Sequence, residues 1–207
     1  MSLAIVEDLI RWIGGLFALL TLAVIFIGIW QGARRTIGTT TGRSPGLLHS
    51  PLFYLAASSV FFGGCLLLWR PLPITVSAPA RAAVLILGTL LYFPGMAFTL
   101  WGRLALGKMY FVSTGMGAQL FANHQLVTHG PFANVRHPMY VGLSIAAVGG
   151  LFLFQTWTMI FFLLLPFGFV RRARIEEQVL AAEFGEEWLD YCQRVPPLIP
   201  RIGRFFP

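Results

Sequence analysis

Two polar clusters in this chain carry side chains suited to holding a small molecule. The first is His124-Gln125-Leu126-Val127-Thr128-His129-Gly130-Pro131-Phe132, followed by Arg136-His137-Pro138-Met139-Tyr140-Val141-Gly142, and it contains all but one of the 4 histidines. The second is Arg171-Arg172-Ala173-Arg174-Ile175-Glu176-Glu177. Each has an ordinary structural explanation. Arg136 can anchor a helix at an interface, His137 can cap it and Pro138 can open its first turn; basic residues beside a glutamate pair are routine where a helix leaves a membrane. Brought together, a carboxylate (Glu176), an imidazole (His137), a phenol (Tyr140) and a guanidinium (Arg172) at the mouth of an apolar bundle make the convergence expected of a small-molecule site.

Other chemistries fit poorly. Gly115-Met116-Gly117-Ala118-Gln119-Leu120 lacks the third glycine and the βαβ context of a dinucleotide fingerprint. His124, His129 and His137 match no standard zinc spacing, with no cysteine or carboxylate near them in sequence, so no metal is assigned. The apolar segments carry no Asp, Glu, Lys or interior Arg, which argues against an ion-coupled transporter and leaves passive movement of a lipid open.

The elements that must position these clusters follow from composition. Of 207 residues 57% are hydrophobic and 11% charged, and mean hydropathy is +0.74, which excludes an ordinary water-soluble domain. That length leaves no room for a membrane region plus a separate Rossmann domain, so the membrane helices must carry any chemistry. The net charge of +7 is distributed in twos and threes at the ends of apolar segments, a topology signal rather than a nucleic-acid footprint. Leu9 to Trp30, Pro51 to Trp69 and Ala82 to Trp101 each approach the ~20 residues of a spanning helix.

The next stretch, Met139 to Val170, is uncharged over ~32 residues, or ~48 Å as a straight helix against a ~30 Å hydrocarbon core. It is expected to reverse, at Gly149-Gly150 or at Gln155-Thr156-Trp157, with Pro166 able to kink the second arm. With five spans and the N-terminus outside, every Lys and Arg except Arg11, Arg70 and Arg81 faces the cytosol; four spans would put the cluster after Val170 on the wrong side. The predicted fold is all-α: a polytopic integral-membrane bundle of about five helices, the last two a hairpin, followed by a cytosolic helix over Arg171 to Asp190 that ends at Pro196-Pro197. Residues 1–101 form three N-terminal spans and 102–207 the region bearing both clusters. Small pairs such as Gly14-Gly15 and Gly63-Gly64 are candidates for close helix approach.

The clusters also resemble a known family. His124-x-Leu126-Val127-Thr128-x-Gly130, Arg136-His137-Pro138-x-Tyr140-x-Gly142, Glu176-Glu177, Phe184-Gly185-x-x-Trp188 and Val195-Pro196-x-x-Ile199-Pro200 occur in the order and spacing of the integral-membrane methyltransferases, which include isoprenylcysteine carboxyl methyltransferase and the phospholipid N-methyltransferases. The resemblance covers roughly 102–200. It implies S-adenosylmethionine as cofactor, held without a Rossmann fold in a cytosol-facing pocket beneath the hairpin, and a lipophilic methyl acceptor whose carboxylate or amine is methylated. By the same resemblance His124, Gln125, Leu126, Val127, Phe132, His137, Pro138, Met139, Tyr140 and Glu176 contact the cofactor, and Arg172 is the catalytic residue that binds the acceptor. Phe132 and Trp188 stand where the family often has tyrosine. An amine acceptor would need a base, for which Glu177 or His129 are the candidates. The competing expectation is a lipid-binding or lipid-transporting membrane protein without catalysis; neither reading involves nucleic acid.

Overall fold

The computed structural model describes residues 2–32, 35, 37–42, 51–110 and 117–199. Among the described residues seven α-helices follow in chain order: α1 Leu3–Gly32, α2 Pro51–Leu67, α3 Ala78–Leu106, α4 Pro138–Phe154, α5 Trp157–Phe162, α6 Leu165–Phe184 and α7 Glu186–Arg194. The predominantly helical reading holds with one correction. Strands β1 Ile37–Gly42 and β2 Gly117–Phe121 form a two-stranded antiparallel sheet pairing Thr41 with Ala118 and Gly42 with Gly117, so the chain is not purely α. Gly117, part of the discarded glycine motif, opens β2, while Gly115 and Met116 lie outside the described residues, as do Arg34, Arg43, Pro200, Arg201 and Arg204.

By length and composition, Leu3–Gly32 and Ala78–Met109 can each cross a membrane, while Leu55–Leu67 and Pro138–Phe154 are shorter apolar helices. Trp12, Leu16, Leu19 and Leu20 of α1, Leu66 of α2, Leu90 of α3 and Phe167 of α6 all point outward, an apolar belt no water-exposed surface would keep.

The centre of the bundle is the α3–α4 seam, where backbones approach closely because the facing residues are small. A methyl group added at Gly95 would meet Ala146 N at 2.6 Å and Gly142 O at 2.8 Å, and one at Gly149 would collide with the Tyr92 backbone. Leu85, Tyr92, Met96, Ala146 and Leu153 form the core there, with Val6, Ile10 and Phe17 of α1 packed against it. Contact at this distance favours association through dispersion and backbone dipoles in lipid, where water-driven burial is absent. Of the pairs read from the sequence, Gly14 meets Tyr92 and accepts its hydroxyl hydrogen bond at 3.0 Å, but Gly15, Gly63 and Gly64 face open space. Gly95→Ala should therefore cost about 1–3 kcal/mol of stability by overpacking, measured as a lower thermal midpoint in detergent, whereas Gly63→Ala should leave the midpoint unchanged.

The uncharged stretch does reverse, at Gln155-Thr156 and not at the glycine pair, which is committed to the α3 seam. Gln155 takes a left-handed conformation (φ 50°) as the α4 C-cap, and Thr156 is extended before α5. The end of α2 and the α2–α3 connection clasp this turn: Leu72 N–H donates to Gln155 O at 2.8 Å, Trp157 N–H to Arg70 O at 3.1 Å and Thr158 Oγ1 to Cys65 O at 2.7 Å. Nearby, Glu7, 4% exposed, pairs with Arg11 (2.6 Å) and Arg81, and Arg11 Nε donates to Leu153 O at 2.8 Å, tying α1 and α3 to the end of α4. The second arm is broken after α5, and Pro166 sits in the first turn of α6, where its missing N–H costs nothing.

The helix expected over Arg171 to Asp190 is interrupted. Gly185 (φ 48°) ends α6 and α7 starts in a new direction, a backbone state glycine reaches without strain. This bend lets α7 fold back so that Trp188, Tyr191 and Val195 pack with Leu126, Leu180 and Phe184. On the other side of α6, Val179 is sealed by Ala118 and Leu120 of β2.

Candidate functional site

Reversal at Gln155 brings the first turn of α4 and the middle of α6 to the same end of the bundle. Arg172, Glu176 and Leu180 recur every four residues and so share one face of α6. His137 is the α4 N-cap residue, but its side chain makes no capping bond. It reaches across instead: Nδ1 lies 3.4 Å from Glu176 Oε2 and Nε2 3.0 Å from Glu177 Oε1. Tyr140 donates its hydroxyl to Glu176 Oε1. The Tyr140 ring stacks on His137 (5.5 Å between centroids) and on Phe169 (4.7 Å), and the Arg172 guanidinium lies 5.6 Å from its centre. Four chemically distinct groups thus meet at one end of two helices.

These groups open onto one cleft. Of the residues assigned from the sequence, Leu126, Val127, Phe132, His137, Pro138, Met139, Tyr140, Arg172 and Glu176 line it. His124 and Gln125 do not. The His124 ring sits between Phe121 (6.2 Å) and Phe184 (6.1 Å), where burial pushes its pKa down to about 4 against the opposing field of Glu183. It packs as a neutral ring that fastens the 122–126 segment to the end of α6. Gln125 is exposed, with its backbone N–H directed at Met109 Sδ, 3.4 Å away. His129 is exposed and Glu177 is turned away from the cleft, so neither of the bases considered for an amine acceptor lines it.

Sequence reasoning missed Leu106, Tyr110, Arg136, Leu180, Trp188 and Tyr191 as lining residues, although Arg136 and Trp188 stand within the motifs. Leu180 was accessible from the four-residue spacing after Arg172 and Glu176. Leu106 ends α3 and Tyr110 follows the 3₁₀ turn Gly107–Met109, both outside any motif; Tyr110 is backed by the buried Arg103, whose guanidinium lies 4.4 Å from the ring centre. Tyr191 donates to Phe132 O at 2.7 Å and so fixes the 3₁₀ turn Gly130–Ala133 that presents Phe132; burial holds the Tyr191 pKa above its ordinary value, keeping the phenol a neutral donor.

Burial alone would lower the His137 pKa, but its bonds to Glu176 and Glu177 outweigh that and hold it above 6.5. For Glu177 burial would raise the pKa, and His137 with Arg136 overcome it, holding the carboxyl below 4.5. The His137 contribution to stability is complete below pH 6.5 and is lost as pH rises through the folded-state pKa. The Glu177 contribution is complete above pH 4.5 and is lost as pH falls through its folded-state pKa. The thermal midpoint in detergent should therefore decline on the alkaline side, and His137→Asn should flatten that decline.

The family model for phospholipid methyltransferase matches residues 83–187, which run from α3 through both clusters into α7. The chain belongs to the phospholipid methyltransferase family. Within this family match, the chain is similar to the protein-S-isoprenylcysteine O-methyltransferase of Schizosaccharomyces pombe, 42% identical over 82 residues, covering 39% of this chain and 35% of that protein. It is likewise similar to protein-S-isoprenylcysteine O-methyltransferase B of Arabidopsis thaliana, 36% identical over 83 residues (39% and 42% of the two chains). A further relative is the nickel-cobalt-cadmium resistance protein NccN of Alcaligenes xylosoxydans xylosoxydans, 35% identical over 83 residues (39% and 38%). These matches thus span well under half of each relative. A solved structure of the eukaryotic intramembrane Ras methyltransferase, isoprenylcysteine carboxyl methyltransferase, aligns over 74% of this chain and 54% of its own at 28% identity and a TM-score of 0.48.

Proposed function

We propose that this family member transfers a methyl group from S-adenosylmethionine to a lipophilic acceptor at the cytosolic face of a membrane. In this reading five helical segments cross the bilayer, the N-terminus lies outside, and the cleft opens where α3 and α4 meet the cytosol. The observation that carries it is the convergence of Glu176, His137, Tyr140 and Arg172 on one aromatic-walled cleft at the polar end of an apolar bundle.

The donor set fits the cofactor's chemistry. A sulfonium compound with an adenine face, a ribose diol and an amino-acid end needs apolar walls and a few fixed polar groups. Phe132, Tyr140, Leu126 and Trp188 provide walls, Glu176 can accept from hydroxyl or ammonium donors, and His137 is oriented by two carboxylates. When bound, the cofactor supplies an electrophilic methyl group. The chain's part is to hold donor and acceptor in line and to exclude water, with no covalent protein intermediate required.

The site also favours an acceptor that is already nucleophilic. Glu177, held below the usual carboxylate range by His137 and Arg136, is a poor proton acceptor, and His129 lies away from the cleft. A carboxylate needs no base; Arg172 on the cleft wall can bind it. The test is incubation of membranes containing the protein with methyl-labelled cofactor, followed by organic extraction. Label in a lipid-soluble product that mild alkali releases as methanol is the expected result. Alkali-stable label would instead indicate N-methylation, and absence of extractable label from cofactor-binding protein would overturn the catalytic reading.

A further inference from the structure

The adjacent glutamates of α6 face different partners. Glu176 lines the cleft, whereas Glu177 lies behind it. Glu177 Oε1 accepts from Arg136 Nε at 3.0 Å, Arg136 Nη2 at 2.9 Å and His137 Nε2 at 3.0 Å. Arg136 uses its remaining terminal nitrogen, Nη1, on the carbonyls of Val195 (2.8 Å) and Cys192 (3.3 Å). Beside it, the backbone N–H groups of Arg136 and His137 donate to Pro196 O (2.9 Å) and Pro197 O (3.0 Å). Two consecutive prolines have no N–H to offer, so this segment can join a ladder only as an acceptor. What it meets is a pair of donors at the boundary of α4, where helical partners are lacking.

We propose that Glu177 is a positioning residue which, with Arg136, latches the chain segment 192–197 against the start of α4 and thereby holds His137 in place for the cleft. The latch rests on the methyltransferase reading only for what the cleft contains. Its consequence is that the two glutamates are not interchangeable: Glu176 meets the ligand, while Glu177 couples the docking of the C-terminal segment to the orientation and charge of one imidazole. The groups facing His137 are Glu176 and Glu177 of α6, Tyr140 of α4 and the preceding Arg136, with Arg172 across the Tyr140 ring and Tyr191 and Cys192 of α7 beside the Arg136–Glu177 pair.

The full-length protein in detergent, without cofactor, provides the test. Glu177→Gln should speed hydrogen exchange at the Arg136 and His137 amides about 10- to 100-fold, the loss expected when hydrogen bonds to a charged group are removed. The same variant should shift the His137 imidazole titration, followed by NMR, to lower pH, and Glu177→Asp should recover part of both effects. Glu176→Gln should lower the titration but leave amide exchange near wild type. If Glu177→Gln does not fold, Arg136→Lys serves: it keeps the charge near Glu177 but loses the fork to the Val195 and Cys192 carbonyls, so exchange should rise while the imidazole titration stays raised. Unchanged amide exchange in either variant overturns the latch. Because neither measurement contains cofactor, wild-type protein that fails to bind S-adenosylmethionine would end the methyltransferase reading and leave the latch standing.

Discussion

Glu176→Ala should reduce affinity for S-adenosylmethionine, and for its demethylated product, by about 100-fold while the protein remains folded. The carboxylate occupies the centre of the cluster: Oε1 accepts from Tyr140 and Oε2 faces His137 Nδ1 at 3.4 Å. Its side chain is only 14% exposed, so water does not replace it readily when it is removed. Each hydrogen bond to a charged group contributes about 1.5–3 kcal/mol, and tenfold in affinity is about 1.4 kcal/mol. Loss of one ligand contact together with the alignment of Tyr140 and His137 therefore reaches two orders of magnitude. Glu176→Gln keeps the shape and one acceptor oxygen and should fall between the two. Calorimetry on purified protein reads these differences, with the thermal midpoint as the control for folding. Affinity within a few-fold of wild type in the Ala variant would remove Glu176 from the site.

How much of this arrangement was legible in the chain depends on the range of the interaction. The reversal between Met139 and Val170 followed from two coarse quantities, the span length and the sidedness of arginine, and the structure turns there. Its position was harder to read, because a glycine pair suits both a bend and a close contact. Gly149 is used for the contact, against the Tyr92 backbone, and the bend falls to Gln155.

Residues 126–127, 137–140, 172 and 176, which the family resemblance assigned to one site, line one cleft. His124 and Gln125 belonged to the same run, yet the His124 ring packs against Phe121 and Phe184 and Gln125 is exposed. The sheet was invisible for a different reason. Ile37–Gly42, sequence IGTTTG, shows no alternation of apolar and polar residues, and its partner lies far along the chain. Gly185 was a lone glycine in an otherwise helical pattern, and only packing of Trp188 and Tyr191 on the Leu126 segment decides that it breaks the helix.

Arg172→Ala should separate acceptor chemistry from cofactor binding. Arg172 stands one helical turn before Glu176, on the cleft wall, with its guanidinium over the Tyr140 ring. If the acceptor is a carboxylate, its charge is held by that guanidinium as methyl transfer begins, and removing a preorganised electrostatic partner costs about 10²–10³ in rate. Cofactor affinity should change only slightly, because Glu176, His137 and Tyr140 keep their mutual bonds. Arg172→Lys should recover only part of the loss: an ammonium restores the charge but not the planar fork that matches a carboxylate or the stacking on an aromatic face. Single-turnover methylation of extracted lipid, run beside cofactor-binding measurements, distinguishes the two contributions. An amine acceptor reverses the expectation, since a neighbouring guanidinium disfavours the cation that N-methylation produces; turnover maintained or increased in Arg172→Ala would then point to amine methylation, consistent with alkali-stable label.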